Sequence, residues 1–149
     1  MPINVIELHH HGIRIGTDDE DVRKAKHFYG DVLGLQSDDG RPEIKDIPGL
    51  WMYVGRGEQT TQLHLMGAVG RSPAARSDEQ DPTRPHVALA VEDIHEARRE
   101  LERRGVKHWT ITNLVGENSD QVFLEDPFGN VIELHQIGTC RCNRISLKQ

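Results

Sequence analysis

Histidine is the residue type in this sequence with the most chemistry to offer, since the 149 residues include nine histidines. Several of them fall in segments that predict strands, and one such segment also carries Glu133. Neutral imidazoles combined with a carboxylate are typical ligands of zinc, nickel, iron, manganese and cobalt, whereas calcium and magnesium prefer oxygen ligands. Whether these side chains meet depends on the elements that position them. Apart from His108, which is interpreted as a surface residue, the histidines in or next to predicted strands are His9, His10, His11, His64, His86 and His135.

The predicted elements of the two halves of the sequence follow the same order, which indicates an internal repeat. In the first half, residues 12–15 alternate as in a strand, and a helix is predicted between a cap at Asp21 and a stop at Gly34. The second half opens with an alternating strand at 87–91 and a helix capped by Asp93. Further strands are predicted at 50–54, 60–66, 106–112, 121–125 and 131–136.

Each half is therefore predicted to be a βαβββ module, and neither module can bury both faces of its sheet alone. The predicted fold class is α+β, with the two modules forming a curved mixed β-sheet cleft and the helices on its outer face. Residues 68–84, rich in Gly, Ser, Ala, Pro and charge, separate the modules. We expect a single domain over 1–149, with module 1 at about 5–67, the linker at 68–84, module 2 at about 85–136 and a tail at 137–149.

Strand alternation predicts which polar side chains face the cleft, because successive residues of a strand point to opposite faces. In each strand the apolar residues are assigned to the helix side, which turns the polar residues between them to the cleft. His10 and His86 then occupy equivalent positions in the first strands of the modules, and His64 and Glu133 in the last strands. If a pseudo-twofold axis relates the modules, the four side chains converge on one divalent transition metal: zinc, nickel, iron, manganese or cobalt.

Local geometry leaves some of these assignments open. His9 and His11 have the wrong alternation for the cleft unless a β-bulge intervenes, and His11 is the alternative to His10 as a ligand. Arg14 shares the cleft face, where it would anchor a substrate carboxylate. His135 is a candidate for contact with substrate, for support of a ligand or for a solvated residue at the rim of the cleft. Trp51 is a candidate for a wall of the cleft.

Three segments carry motifs of a known family: residues 28–35, 86–94 and 125–134, of which the last is the most specific. They resemble the vicinal oxygen chelate superfamily, which includes glyoxalase I, methylmalonyl-CoA epimerase, extradiol dioxygenases, thiol-transferring fosfomycin-resistance enzymes and bleomycin-binding proteins. The resemblance is to a glyoxalase I-like single-domain member, and it implies a homodimer. It also implies metal ligands in the first and last strands of each module, at His10, His64, His86 and Glu133.

The number of ligands bears on the reaction. Four protein ligands on a six-coordinate metal leave two positions, enough for the two oxygens of a metal-bound enediolate, so we expect a glyoxalase- or epimerase-like isomerase or lyase. The resemblance to glyoxalase I implies that Glu133 leaves the metal to act as the base. If only His10, His86 and Glu133 bind iron, the three open positions suit an extradiol-type dioxygenase. His64 would then be a distal acid–base group. An epoxide-directed transferase or hydrolase, and a binding or resistance protein without catalysis, are further alternatives.

Composition argues against several other classes of function. The net charge is −6, so the chain offers no basic patch for nucleic acid and no polybasic segment for a membrane surface. No apolar run reaches the roughly 18 residues that cross a bilayer, and the N-terminus lacks a signal pattern, which predicts a cytoplasmic protein with a small-molecule substrate. Cys140 and Cys142 are poorly placed for a mutual disulfide, and a metal site at this pair would need further ligands.

Overall fold

Residues 1–139 are the part of the chain that the computed structural model describes, so Cys140 and Cys142 lie outside the described residues. None of the helices in residues 1–139 is long and apolar enough to cross a membrane. The elements are β1 (Val5–Ile15), α1 (Asp19–Ala25), β2 (Gln36–Ser37), β3 (Gly49–Val54), β4 (Thr61–Gly67), β5 (His86–Val91), α2 (Ile94–Arg103), β6 (His108–Thr112), β7 (Asp120–Glu125) and β8 (Val131–Gln136).

The strands form one sheet in the order β2-β3-β4-β1-β5-β8-β7-β6. Its two halves mirror each other once each strand of the second module is matched to its counterpart in the first. The first strands of the modules, β1 and β5, pair antiparallel at the centre of the sheet. Each is parallel to the last strand of its own module, β4 or β8. The predicted α+β fold class, with a mixed sheet built from two βαβββ modules, is confirmed.

Each helix covers the sheet of its own module with apolar side chains. Helix α2 packs Ala97 and Leu101 against Leu134 of the sheet, and helix α1 packs Ala25 against Leu65. Burial of a leucine-sized side chain contributes about 1.5–3 kcal/mol, so these contacts decide which face of each strand turns to the helices. The opposite face is left to the polar side chains, as the alternation predicted.

The N-cap of the first helix lies three residues before the predicted cap. This N-cap is Asp18, whose side chain accepts a hydrogen bond from the Asp21 amide at 2.8 Å. The Asp21 carboxylate accepts in return from the Asp18 amide at 3.3 Å, which completes a capping box. The prediction of Asp21 as the cap was wrong because both aspartates are good caps. From Lys26 to Val32 the helix continues with π-helical turns, and Gly34, at a φ of 75°, follows its end.

Strand β1 contains the irregularity on which the choice among its histidines depends. Its pairing with β5 shifts register between Leu8 and His10, as at a β-bulge. As a result His9 and His10 are both buried although they are consecutive, whereas His11 is exposed. The strand therefore directs two imidazoles rather than one toward the interior.

Candidate metal centre

The four central strands, β4, β1, β5 and β8, each carry one of the predicted ligands. Three of these side chains meet, since the ligand atoms of His10, His86 and Glu133 all lie within 4.8 Å of one another. Glu133 Oε2 is 2.9 Å from His86 Nε2 and 3.2 Å from His10 Nε2, and the two nitrogens are 3.2 Å apart. All three residues are buried. One chain supplies the whole cluster.

His86 is oriented by a backbone carbonyl and by a glycine on the neighbouring strand. Its Nδ1 lies 2.6 Å from the carbonyl oxygen of Arg84, which can only accept, so Nδ1 donates. In its neutral form His86 therefore presents the lone pair of Nε2 to Glu133, a tautomer assigned from the hydrogen-bond network. Gly12 pairs with His86 across β1 and β5, and a Cβ on Gly12 would lie only 2.6 Å from the ring carbon Cε1. The imidazole occupies the space that a side chain at position 12 would fill.

His10 is oriented by a chain of two hydrogen bonds. Its neighbour His9 places Nε2 2.8 Å from the carbonyl oxygen of Thr139, so His9 Nε2 donates and a neutral His9 accepts at Nδ1. His10 Nδ1 lies 2.7 Å from that nitrogen and is the donor. The lone pair of His10 is thereby left on Nε2, directed at Glu133. Such outer partners fix the tautomer and ring orientation of histidines that bind metals.

The cluster requires a positive charge at the point where its three ligand atoms meet. With both imidazoles neutral, two nitrogen lone pairs and a carboxylate oxygen face one another at 2.9–3.2 Å without a proton between them. Glu133 Oε2 is buried and meets no hydrogen-bond donor in good geometry among the described residues. Buried acceptors so arranged repel one another unless a proton or a metal ion lies between them. Two nitrogens and one oxygen fit a divalent transition metal that keeps further positions open.

The protonation of the three groups follows from burial and from their mutual contacts. Burial lowers the pKa of His10 to about 4, so His10 is neutral at physiological pH. Burial alone would raise the pKa of the Glu133 carboxyl, but the adjacent His10 and His86 hold it well below its usual range. Burial lowers the pKa of His86, but the adjacent Glu133 carboxylate and the Arg84 carbonyl together outweigh it, and the pKa lies above its usual value. A metal ion that binds here would therefore compete with a proton for His86 Nε2.

The second oxygen of Glu133 is held by a strand neighbour. Gln121 Nε2 donates to Glu133 Oε1 at 2.9 Å, and His135 Nε2 lies 3.6 Å from the same oxygen. His135 is buried, stacks on His9 with ring centroids 4.6 Å apart, and places Nδ1 2.5 Å from Thr139 Oγ1. Its burial contradicts the prediction of a solvated rim residue, and its contacts are compatible with support for the ligands, another of the three roles predicted for it. Contact of His135 with substrate stays a prediction.

His64, the fourth predicted ligand, lies beside the three-residue cluster. Its ring is stacked between two others, with centroids 3.7 Å from His10 and 4.3 Å from Trp51. Gln62 Nε2 donates to Asp38 Oδ2 at 2.8 Å, which turns Gln62 Oε1 toward His64 Nε2, also at 2.8 Å. His64 Nε2 therefore donates, and Nδ1 keeps the lone pair. Burial lowers the pKa of His64 well below its usual value, so His64 is a neutral base.

The cluster borders a cavity of about 40 Å³ that Trp51 also lines, and a role for Trp51 as a wall of the substrate cleft stays a prediction. Arg14 lies elsewhere, with Nε donating to the Thr83 carbonyl at 2.9 Å and Nη2 to Asp81 at 3.3 Å. Its guanidinium fastens the segment 81–83 to β1, and the binding of a substrate carboxylate by Arg14 stays a prediction. Apolar residues that line the cavity include Ile44, Ile47, Met66, Leu114 and Val115.

Residues 9–134 match the family model of the Glyoxalase/Bleomycin resistance protein/Dioxygenase superfamily. The chain belongs to this superfamily. The resemblance drawn from its motifs is confirmed, and the superfamily is one whose members are mostly enzymes, epimerases and dioxygenases among them. Among proteins of curated function, none is similar enough in sequence to count as a relative.

Solved structures with the fold of this superfamily member include enzymes of two reaction classes. A variant of the methylmalonyl-CoA epimerase of Streptomyces coelicolor, in complex with 2-nitronate-propionyl-CoA, has a TM-score of 0.66 at 15% identity, covering 91% of this chain and 100% of that one. The methylmalonyl-CoA epimerase of Mycobacterium tuberculosis has a TM-score of 0.63 at 22% identity, covering 91% of both chains. Homoprotocatechuate 2,3-dioxygenase of Arthrobacter globiformis has a TM-score of 0.60 at 18% identity, covering 91% of this chain and 38% of that one. At such identities the similarity shows the fold alone.

Sequence patterns missed two polar residues at the site of this superfamily member, Gln121 and Arg41, and left a third, His9, dependent on a β-bulge. His9 has the wrong alternation, and only the bulge turns it inward to support His10. Gln121 was passed over although alternation along β7 places it on the face opposite the buried Val122, a signal that could have found it. Arg41 lies in the irregular segment before β3, where no periodic pattern predicts a direction, and yet it lines the cavity.

Proposed function

We propose that the protein is a metal-dependent enzyme that binds its substrate through two adjacent oxygens and catalyses proton transfer, as a glyoxalase- or epimerase-like isomerase or lyase. His10, His86 and Glu133 would hold one divalent transition metal. The observation that carries the proposal is the convergence of three buried ligand atoms, each oriented by a partner of its own. A bound metal would polarise the substrate oxygens and increase the acidity of the neighbouring C–H.

We assign His64 the transfer of the substrate proton. Its lowered pKa keeps it neutral, and the hydrogen bond with Gln62 leaves Nδ1 as the basic nitrogen. The ring is clamped between His10 and Trp51, so its orientation is fixed, as proton transfer at a defined atom requires. The expectation that all four residues bind the metal is thus revised to three ligands and one base.

Glu133, the base implied by the resemblance to glyoxalase I, is assigned to the metal instead. Gln121 occupies its Oε1, and Oε2 faces the two imidazoles. To act as a base, the carboxylate would have to leave both sets of contacts, whereas His64 needs no such movement.

The three-ligand cluster also favours a second candidate function, an extradiol-type dioxygenase with iron. Two histidines and one carboxylate leave three positions open on a six-coordinate metal, enough for both oxygens of a catecholate and for dioxygen. His64 would serve this reaction as well, by accepting a proton from a catechol hydroxyl. In both cases we propose a small-molecule substrate; a homodimer and a cytoplasmic location remain predictions.

Metal analysis tests the shared part of the proposal. The protein is purified without chelator or metal-affinity tag, and its metal content is measured by mass spectrometry for wild type, Glu133→Ala and the control Glu102→Ala. Glu102 is exposed on α2, where its carboxylate pairs only with Arg98 among the described residues. We expect about one transition metal per chain in wild type and Glu102→Ala, and a large loss in Glu133→Ala. Absence of metal in wild type, even after incubation with each candidate ion, would refute the proposal.

Two assays separate the candidate reactions. Proton transfer is followed by NMR as deuterium uptake from D2O into methylmalonyl-CoA or the hemithioacetal of methylglyoxal and glutathione. Dioxygenase activity is followed as oxygen uptake by the iron-loaded protein with catechols. We expect deuterium uptake in wild type and its loss in His64→Gln at unchanged metal content. Oxygen uptake without deuterium uptake would reject the isomerase or lyase in favour of the dioxygenase.

A further inference from the structure

The cavity beside the cluster contains a guanidinium with no carboxylate partner. Arg41 lines this cavity together with His10, His64, His86 and Glu133. It donates to two backbone carbonyls, from Nη2 to Ile47 at 2.9 Å and from Nη1 to Pro42 at 3.3 Å. Its Nε is buried and has no hydrogen-bond partner among residues 1–139. No Asp or Glu oxygen of the described chain lies within 4.0 Å of the guanidinium; the ion pairs found there involve other arginines.

A half-buried cation with a buried, unpaired donor raises the free energy of the site unless a ligand supplies an acceptor and a negative charge. Arginine is fully charged at physiological pH, and its planar fork of donors matches a carboxylate. Two carbonyl oxygens supply partial charge but no counter-ion. Burial lowers the pKa of Arg41, which is the sign of a charge that its surroundings do not balance.

Charge balance at the site points the same way. A divalent metal with Glu133 and two neutral imidazoles carries a net charge of about +1, and Arg41 adds a second positive charge to the same cavity. A neutral substrate would leave this charge uncompensated away from water, at a cost that falls when an anion enters. A substrate with one negative charge at its chelating oxygens and another at a separate carboxylate would neutralise the cavity.

We infer that Arg41 is a specificity-determining residue that binds a carboxylate of the substrate, so that the enzyme acts on anionic compounds carrying a carboxylate apart from the two chelating oxygens. The inference rests on the proposed function, since it places the carboxylate relative to a metal-bound substrate. It also assigns to Arg41 the role that strand alternation had suggested for Arg14, whose guanidinium is taken up by Asp81 and Thr83.

If Arg41 only stabilises the segment 41–47 through its hydrogen bonds to the backbone, its replacement should affect ligand binding differently. Loss of these hydrogen bonds would weaken the binding of charged and neutral ligands alike, because the cavity wall would become less rigid. Loss of a carboxylate-binding group would weaken only the charged ligand. The ratio of the two affinities therefore distinguishes the roles.

The test compares 3,4-dihydroxybenzoate with 3,4-dihydroxybenzamide on the zinc-loaded protein by isothermal titration calorimetry. Both probes carry the same pair of hydroxyls and have the same size, so any cost of opening the cavity cancels in the ratio. The proteins are wild type, Arg41→Met, Arg41→Lys and the control Arg56→Met, whose arginine is exposed and does not line this cavity. Zinc uptake is measured on each protein first.

We expect wild type and Arg56→Met to bind the benzoate roughly 10- to 100-fold more tightly than the benzamide, the range for a charge-assisted hydrogen bond. The ratio should fall to about 1 in Arg41→Met and to an intermediate value in Arg41→Lys, which keeps the charge without the fork. Equal affinities in zinc-loaded wild type, or an unchanged ratio in either Arg41 variant, would overturn the inference while leaving the proposed function intact. Failure of wild type to take up zinc or any other candidate ion would overturn the proposed function, and the inference with it.

Discussion

A single added methyl group at Gly12 tests whether the geometry around His86 holds the metal. A Cβ at that position would lie 2.6 Å from His86 Cε1 and 2.8 Å from Nε2, whereas ordinary contacts between carbon atoms are about 3.5–4.0 Å. The ring must therefore retreat by about 1 Å. It cannot do so freely, since Arg84 holds Nδ1 at 2.6 Å and Phe123 stands edge-on at 5.7 Å.

We expect Gly12→Ala to reduce the affinity for the metal more than it reduces the stability of the fold. Distances between a metal and its ligands tolerate only about 0.2 Å, so a nitrogen displaced by about 1 Å is largely lost as a ligand. We expect the affinity for zinc, measured by competition with a fluorescent chelator, to fall by about 100-fold or more, beyond the 10- to 100-fold typical of lost outer partners. Overpacking should lower the free energy of unfolding of the metal-free protein by about 1–3 kcal/mol, measured in urea.

The matched control is Gly30→Ala, where a new Cβ would meet nothing nearer than 3.8 Å. This variant should bind zinc as wild type does. Should Gly12→Ala also bind zinc with wild-type affinity, the reasoning that places His86 Nε2 on the metal is refuted. An equal loss of affinity in both variants would show instead that any added methyl group in this module disturbs the site.

Three further perturbations address the partners of the site. Gln121→Met removes the donor to Glu133 Oε1 and should lower zinc affinity about 10- to 100-fold; wild-type affinity would contradict this role. Below the raised pKa of His86, a metal must displace the proton that His86 carries. The affinity for zinc should therefore fall about tenfold for each pH unit below that pKa and level off above it. A zinc affinity that does not change between pH 5 and 8 would contradict this. Gln62→Met frees the tautomer of His64 and should reduce kcat in the deuterium assay by about 10- to 100-fold at unchanged zinc content, whereas loss of zinc would identify His64 as a ligand.

The sequence predicts the sheet, and the face of the sheet on which the candidate ligands lie, because both depend on alternation. In module 1, Leu65 packs in the cluster against α1 while His64 faces the other side. In module 2, Leu134 packs against α2 while Glu133 turns to the cluster. Alternation between such neighbours is a property of the strand itself, so it is legible without knowledge of the tertiary contacts.

The features that the sequence does not predict are those that no periodic residue pattern encodes. The bulge that brings His9 behind His10 arises from the pairing of β1 with β5, and residue patterns within β1 do not reveal it. Arg41 enters the cavity from an irregular segment whose path depends on tertiary packing. The different settings of His64 and the three candidate ligands depend on the contacts of two amides, Gln62 with His64 and Gln121 with Glu133. The spacing of residues along the sequence does not predict such contacts.

The register of the two modules shows that His64 and Glu133, to which we assign different roles, occupy equivalent positions. Gly12 pairs with His64 across β1 and β4 as Ala88 pairs with Glu133 across β5 and β8, so His64 and Glu133 are equivalent by register as well as by spacing. Their surroundings break the symmetry. Gln121 reaches Glu133 from β7, whereas the corresponding position on β3 is Gly49, which has no side chain to reach His64.

The amide that contacts His64 comes instead from Gln62 on its own strand, and Val131 stands at the equivalent position beside Glu133. The Gln121 amide donates to one oxygen of the Glu133 carboxylate, which leaves the other carboxylate oxygen for a metal. The Gln62 amide accepts from His64 Nε2, which leaves His64 Nδ1 as the basic nitrogen. In the proposed function, two symmetric strand positions would thereby serve as a ligand and a base.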